Sequence, residues 1–352
     1  MQHPTPAERG YRMPAEWSPH QATWMSWPHK RASWPGAFEH VEPVMVSAVA
    51  ALAESEPVRI NVLDAAHETH VRRLLGDAAV DPARVLCHRF PTNDAWCRDH
   101  GAIFVARAGE MPLAALDCGF NAWGGKYPPW ELDNEIPRQM AEALGIPRFE
   151  AGLILEGGSI DVNGEGTVLT TEDCLLNPNR NPAMDRPAIE QALRELLGVE
   201  QVLWLGQGIV GDDTDGHVDD ITRFVARATV VTAVEPDRND PNHAPLQANL
   251  ERLRAMRLVD GSALEIIELP MPRPVFHEGE RLPASYANFY IGNSVVLMPS
   301  FADPADEHAA GILADCFPGR RIVPLDCRKL VVGLGAFHCL TQQVPLTPEM
   351  QA

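Results

Sequence analysis

Paired cysteine is the first thing this sequence lacks. Its seven cysteines (Cys87, Cys97, Cys118, Cys174, Cys316, Cys327 and Cys339) are odd in number, never closer than ten positions, and never arranged as C-x-x-C. That spacing argues against a disulfide framework and against a structural zinc site, and makes a reducing compartment the default. Positive charge is also scarce, with 29 Lys plus Arg against 48 Asp plus Glu and a net charge of −19. Such a balance argues against nucleic acid and anionic membrane as partners, and leaves either plain solubility or attraction of a cationic ligand. Long apolar runs are missing too. The stretch from Val44 to Ala53 is far too short to span a bilayer, and Met1 to Arg9 has neither the basic start nor the apolar block of a signal peptide. A soluble, cytoplasmic protein is the expectation. No linker or low-complexity segment interrupts the 352 residues, so one domain over 1–352 is expected, with 45% apolar residues to fill its core.

What is present has a repeating order. Residues 13 to 36 carry four of the eight tryptophans among prolines, an aromatic loop better suited to packing than to lining a pocket mouth. Helical spacing over Phe38 to Glu54 leads to an apolar strand at Val58 to Leu63 and a helix near Glu68 to Leu75. A polar cluster, Thr92-Asn93-Asp94-Ala95-Trp96-Cys97-Arg98-Asp99-His100-Gly101, then precedes the strand Ala102 to Ala106. The same arrangement recurs. Leu155-Glu156-Gly157-Gly158 opens a hairpin that turns at Asn163-Gly164 into Thr167 to Thr170. Asp212 to Asp220 precedes strands at Ile221 to Val225 and Thr229 to Val234, and Tyr286 to Ile291 leads through Gly292-Asn293 into Ser294 to Met298. Helical patterns lie between them at Glu135 to Leu144, Pro187 to Leu197, Pro245 to Met256 and Ala305 to Cys316. Five such units, about 50 to 80 residues apart, exceed compact solenoid periods. They predict an α/β fold in which polar clusters meet at the centre of a ring, with a doubly wound sheet as the competing arrangement.

Two segments carry chemistry by residue type. Near the C-terminus, the apolar run Lys329-Leu330-Val331-Val332 reads as a strand, and Gly333 and Gly335 then let the backbone pass close to another group before Cys339. A lone cysteine is most often a buried thiol; in this company it is a candidate nucleophile. In mid-chain, five acids flank His217. On an extended strand His217 and Asp219 would share a face, and the same alternation would turn His338 away from Cys339. A calcium loop centred on Gly216 fails at Gly211 and Thr222, its first and twelfth positions, and Asp213 with Asp215 remain the only magnesium candidates. A cysteine, a histidine and spare carboxylates suit a cysteine hydrolase. Paired carboxylates facing a thiolate hold a planar cation by bidentate hydrogen bonds, which points to a guanidinium.

On these residues the chain resembles the agmatine deiminase family, including bacterial peptidyl-arginine deiminases, within the guanidine-modifying superfamily. The motifs that carry the resemblance are Trp24-Met25-Ser26-Trp27-Pro28, Asn93-Asp94-Ala95-Trp96-Cys97-Arg98-Asp99, Phe120-Asn121-Ala122-Trp123-Gly124-Gly125, Leu155-Glu156-Gly157-Gly158, Asn177-Pro178-Asn179-Arg180-Asn181-Pro182, Asp215-Gly216-His217-Val218-Asp219 and His338-Cys339. The resemblance implies a five-bladed α/β propeller of pseudo-fivefold repeats and hydrolysis of agmatine to N-carbamoylputrescine and ammonia. It also implies Cys339 as nucleophile, His217 as general acid and base, Glu156, Asp99 and Asp219 as carboxylates around the guanidinium, and Trp96 as a stacking or packing residue. No metal or organic cofactor is implied. The expected partner is a small cationic guanidino substrate, with neither nucleic acid nor membrane, and a homo-oligomer is compatible with this. Two departures bear on specificity. Leu334 and Ala336 replace residues of the usual Gly-Gly-Gly-Asn-Ile-His-Cys, and the segment Lys126-Tyr127-Pro128-Pro129-Trp130-Glu131 is shorter than is typical. Arginine, peptidyl arginine or a guanidino acid are therefore alternative substrates, and an amidinotransferase or a non-catalytic cation binder are alternative functions.

Overall fold

The helices form where one stripe of the sequence has to be buried. In Phe38–Ala53 the residues Phe38, Val41, Met45, Val49 and Leu52 recur at spacings of three and four, and all face the core. Arg186–Leu197 buries Ile189, Leu193 and Leu196, and its ends are written locally. Asp185 accepts the N–H of Ala188, Pro187 occupies the first turn, and Gly198 closes the helix at φ 66°. A side chain on Gly198 would meet the Tyr11 carbonyl oxygen at 2.4 Å, so this stop needs glycine twice over.

The computed structural model describes residues 4–347, and apart from one two-stranded hairpin its strands divide into five sheets that share one pattern. In each, a first strand runs antiparallel to a second, and the second is parallel to a third. The triplets are Ile103–Ala106, Leu113–Gly119, Arg148–Ile154; Asp161–Val162, Thr167–Thr171, Gln201–Leu205; Thr222–Ala226, Thr229–Val234, Glu265–Pro270; and Tyr290–Ile291, Val295–Ser300, Arg321–Asp326. The remaining sheet joins the ends of the chain. Thr341–Pro345 runs antiparallel to His20–Ser26, which is parallel to Val58–Asn61, itself parallel to Val85–His88. A parallel step needs a crossover, and a helix supplies it in every sheet. One doubly wound sheet therefore does not form among the described residues. A two-stranded hairpin, Phe276–His277 with Glu280–Arg281, stands apart from the five.

The tryptophan-rich N-terminal stretch packs as expected, with Trp24, Trp27 and Trp34 fully buried. Lys329 to Val332 does not form the expected strand. Leu330–Gly333 is a short helical turn whose Leu330 carbonyl accepts the Trp34 indole N–H at 2.7 Å, so the run fills the core without joining a sheet. All seven cysteines are free. Among the described residues no helix is long and apolar enough to cross a membrane.

The segments that matter for chemistry enter the first strand of each sheet: Cys97–His100, Gly157–Ser159, Val218–Asp220, the residues around Asn288, and Phe337–Leu340. The first of these packs against both Phe337–Leu340 and Gly157–Ser159, and the latter packs against Val218–Asp220. Asn288 links Asp220 to the Cys339 turn. Support for this centre comes from helices such as Ala305–Cys316, where Leu313 is wholly buried. Leu313→Ala should lower unfolding free energy by about 2–5 kcal/mol in urea titration; a loss below about 1 kcal/mol would show that this helix is not part of the main core.

Candidate active site

A cavity of about 290 Å³ opens over these converging segments, with Cys339, Asp99, Trp96, Trp123 and Leu334 in its wall and Lys30, Asp94, Tyr127 and Asp213 among its other lining residues. A larger recess of about 460 Å³ lies at Asp117, Arg138 and Arg148. There the arginines are already paired with Asp117, Glu150 and Glu135, and no nucleophile is present.

Cys339 sits in a turn that one side chain clamps. The Asn288 Oδ1 accepts the backbone N–H of Ala336 at 3.2 Å and of His338 at 3.1 Å. Its Nδ2 donates to Cys339 Sγ at 3.1 Å and to Asp220 Oδ1 at 3.0 Å. Asp219 Oδ2 lies 3.8 Å from the sulfur. Burial pushes the thiol well above its usual range, and Asp219, Asp220 and Asp99 push it further.

His217 is not on a strand, contrary to the expectation. It precedes the short turn Val218–Asp220 and is fixed through its backbone N–H, which donates to Asp212 and Thr214. Both ring nitrogens are buried without a hydrogen-bond partner, and Nδ1 stands 3.7 Å from Asp99 and 4.0 Å from Asp219. Burial, then Arg180, pushes the ring well below the usual imidazole range, so it rests neutral and able to accept a proton.

The carboxylates carry the opposite perturbation. Asp99 accepts the Trp123 indole N–H at 2.9 Å and the Gly158 backbone N–H at 3.0 Å, yet burial and then Glu156 raise it to about 7. Its neighbour Arg98 turns away to Glu16 and Gln343. Trp123 reaches Asp99 from a left-handed backbone, with Ala122 at φ 51° and Trp123 at φ 56°. Glu156 Oε1 accepts the Arg180 Nε–H at 2.6 Å and its Oε2 has no partner; burial raises it despite the arginine. Asp219 and Asp220 are wholly inside, and burial leads both well above the ordinary range. Cys339, His217, Asp99, Asp219, Glu156 and Trp96 are thus brought together. Trp96 lies on the Gly335 backbone, where an added side chain would meet its ring at 2.6 Å, and it also packs on Trp34.

His338 faces Asp219 Oδ2 through Nδ1 at 2.6 Å and Glu16 Oε2 through Nε2 at 2.8 Å. Strand alternation failed here because Phe337–Leu340 is a helical turn. Glu156, Cys174 and His217 offer three metal-donor types within 4.8 Å of one another. Arg180 already places a fixed cation on Glu156 there, and burial holds the Cys174 thiol well above its normal range, so the set fits an ion poorly. Asp213 and Asp215, the magnesium candidates, both contact Lys126.

Comparison with known proteins decides the kinship of this arrangement. The model of the Porphyromonas-type peptidyl-arginine deiminase family matches residues 12–345. The chain belongs to that family. It is 38% identical to the agmatine deiminase of Ectopseudomonas mendocina and 39% identical to that of Stutzerimonas stutzeri, in each case over 97% of both chains. Its fold matches the solved agmatine deiminase of Enterococcus faecalis with a TM-score of 0.90 at 34% identity, over 98% of both chains. It also matches a cysteine-to-serine form of the C. jejuni agmatine deiminase with substrate bound, with a TM-score of 0.85 at 32% identity, over 95% of this chain and 96% of that one.

Within this deiminase-family scaffold, sequence reasoning missed Asn288, Arg180, Glu16 and the part played by His338. Arg180 and Glu16 lie inside or beside resembling motifs, and Asn288 occupies the same place before a strand as the other polar clusters. Position within the repeat was the signal available. Gly158 is where three of these side chains crowd one backbone position: an added Cβ would meet His217 Nδ1 at 2.5 Å, Asp99 at 2.8 Å and Asp219 at 2.9 Å. Gly158→Ala should therefore displace these groups and lower kcat/KM by about 10²-fold while the protein stays folded. Full activity with an unchanged melting temperature would contradict the reported closeness.

Proposed function

We propose that the protein hydrolyses a guanidino substrate, with agmatine as the favoured one, to N-carbamoylputrescine and ammonia through a covalent thiouronium on Cys339. The observation that carries this reading is a buried deficit of positive charge. Asp99, Asp219 and Asp220 lie around one thiol, Glu156 stands beside His217 and acts on Asp99, and each of the four is pushed towards its protonated form. A guanidinium restores the balance and presents its carbon to the sulfur. The names of the relatives above support agmatine as that cation.

In this reaction the cation lowers the cost of ionising Cys339, and His217, neutral at rest, accepts the thiol proton. The thiolate bonds to the guanidinium carbon. His217 then protonates one nitrogen, the C–N bond breaks, and ammonia leaves. With the proton gone, His217 takes one from water and hydroxide adds to the thiouronium carbon; the C–S bond then breaks, the added hydroxyl loses its proton to solvent as the ureido carbonyl forms, and His217 returns its proton to the departing thiolate, which restores the free enzyme. Carboxylates hold the remaining nitrogens throughout, and no step calls for a metal or organic cofactor.

The five like sheets and the circuit of contacts among their entry segments support a five-bladed, pseudo-fivefold α/β propeller forming one deiminase domain over 1–352. Free, unpaired cysteines suit a reducing cytoplasm.

Cys339→Ser should reduce ammonia release more than about 10³-fold without unfolding the protein; activity within a few-fold of wild type would remove the thiol from the reaction. Burial raises Asp99 to about 7, so below that pH it becomes neutral and holds a cation less well. kcat/KM for agmatine should fall as pH drops through about 7, and Asp99→Asn should flatten that limb along with reducing activity. The same acid limb in Asp99→Asn would assign it to another group.

A further inference from the structure

The His338 ring stands between two carboxylate oxygens, 2.6 Å from Asp219 Oδ2 and 2.8 Å from Glu16 Oε2, and all three side chains are buried. A neutral imidazole has one N–H and donates to one carboxylate. Two contacts at hydrogen-bond length therefore require a second proton, on the other ring nitrogen or on the oxygen it faces. Glu16 is a poor place for that proton. Arg223 Nη2 lies 2.9 Å and Arg98 Nη2 3.3 Å from the same Glu16 oxygen, and the Ile291 N–H donates to the other at 2.9 Å. Burial alone would raise Glu16, but Arg223, His338 and Arg98 outweigh it and hold the carboxyl well below its usual range. The second proton therefore belongs to the short contact between His338 Nδ1 and Asp219 Oδ2. That oxygen is also the one beside the Cys339 sulfur, at 3.8 Å.

We propose that Glu16 and His338 form a positioning pair that takes over the proton of Asp219 when a guanidinium enters the cavity. The Asp219 O–H bond breaks, an N–H bond forms on His338 Nδ1, and the Nε2–H stays on Glu16, so no proton leaves the buried site. The inference rests on the reading of the cavity as a guanidinium site.

Charge decides where the proton sits. Without a cation, burial and then Asp99 hold Asp219 towards its protonated form against the pull of Arg223 and Arg98, while burial and the same two arginines disfavour an imidazolium on His338. A guanidinium against Asp219 reverses that order, and Glu16 then stabilises the charged ring. Asp219 becomes a full carboxylate for the substrate without exchanging a proton with solvent.

The test counts protons. Agmatine and guanidinium chloride are titrated by calorimetry, in buffers of different ionisation enthalpy, into Cys339→Ser and into Cys339→Ser/His338→Gln. The glutamine still donates to Asp219 but cannot take up its proton. The variant with glutamine should release close to one more proton per cation bound than its parent, and in the Cys339 background His338→Gln should raise KM by about tenfold or more with a smaller fall in kcat. Binding with the same proton release in both proteins would overturn the transfer and leave the guanidinium reading intact. Failure of either cation to bind the parent would overturn both. Should His338→Gln not fold, His338→Asn is judged by the same proton count.

Discussion

A cluster of buried acids with too little positive charge is the constraint on which the rest of this molecule depends. Asp99, Glu156, Asp219 and Asp220 lie away from water, and of the four only Glu156 has a cation in hydrogen-bond contact, through Arg180. Burying charge without a partner is costly, and proteins answer by shifting the proton equilibrium. Here the carboxyls and the Cys339 thiol are all pushed towards their neutral forms, while His217 is kept unprotonated. At rest the reactive groups are held inactive. In the proposed reaction the substrate supplies the missing charge, so the group to be attacked is also the group that switches on its nucleophile.

The fold concentrates these charges by repetition. Each of the five sheets is entered by a short segment, and the five segments bring Asp99, Glu156, His217 with Asp219, Asn288, and Cys339 to one place. A single entry segment has room for one or two functional side chains. Five together bring a thiol, an imidazole, three carboxyls and a clamping amide. Behind them, Arg98 and Arg223 with Glu16 and Asp161 form a second buried layer in which two cations face two acids. That contrast, with balance behind and imbalance in front, keeps the cation demand at the cavity.

Residue type and spacing made much of this legible. Helices at Arg186–Leu197 and Ala305–Cys316 followed from apolar stripes with caps or acids at their starts, and the hairpin at Asn163-Gly164 from its turn chemistry. His217 stood out for the five acids that flank it, and Cys339 for the glycines before it and for that company. Local pattern misled where tertiary contacts chose the conformation. Leu330 to Val332 looks like a strand, but Trp34, nearly three hundred residues earlier, takes its backbone carbonyl and packs it as a turn. Alternation placed His338 away from the chemistry because it assumed an extended chain; in a helical turn the ring reaches Asp219 directly. Glu16 and Asn288 act across sequence separations of 322 and 51 residues, and nothing in their neighbours announces the partner.

The central claim concerns charge at one carbon, and a pair of ligands isolates it. Agmatine and N-carbamoylputrescine share the chain and the distal ammonium and differ at the reacting end, where a cationic nitrogen is replaced by a neutral oxygen. The direct measurement is the affinity of both for Cys339→Ser by calorimetry at pH 8. Agmatine should bind at least about a hundredfold more tightly, a difference of about 2.7 kcal/mol. Equal affinities would show that the buried acids do not recognise a guanidinium, and would contradict the account.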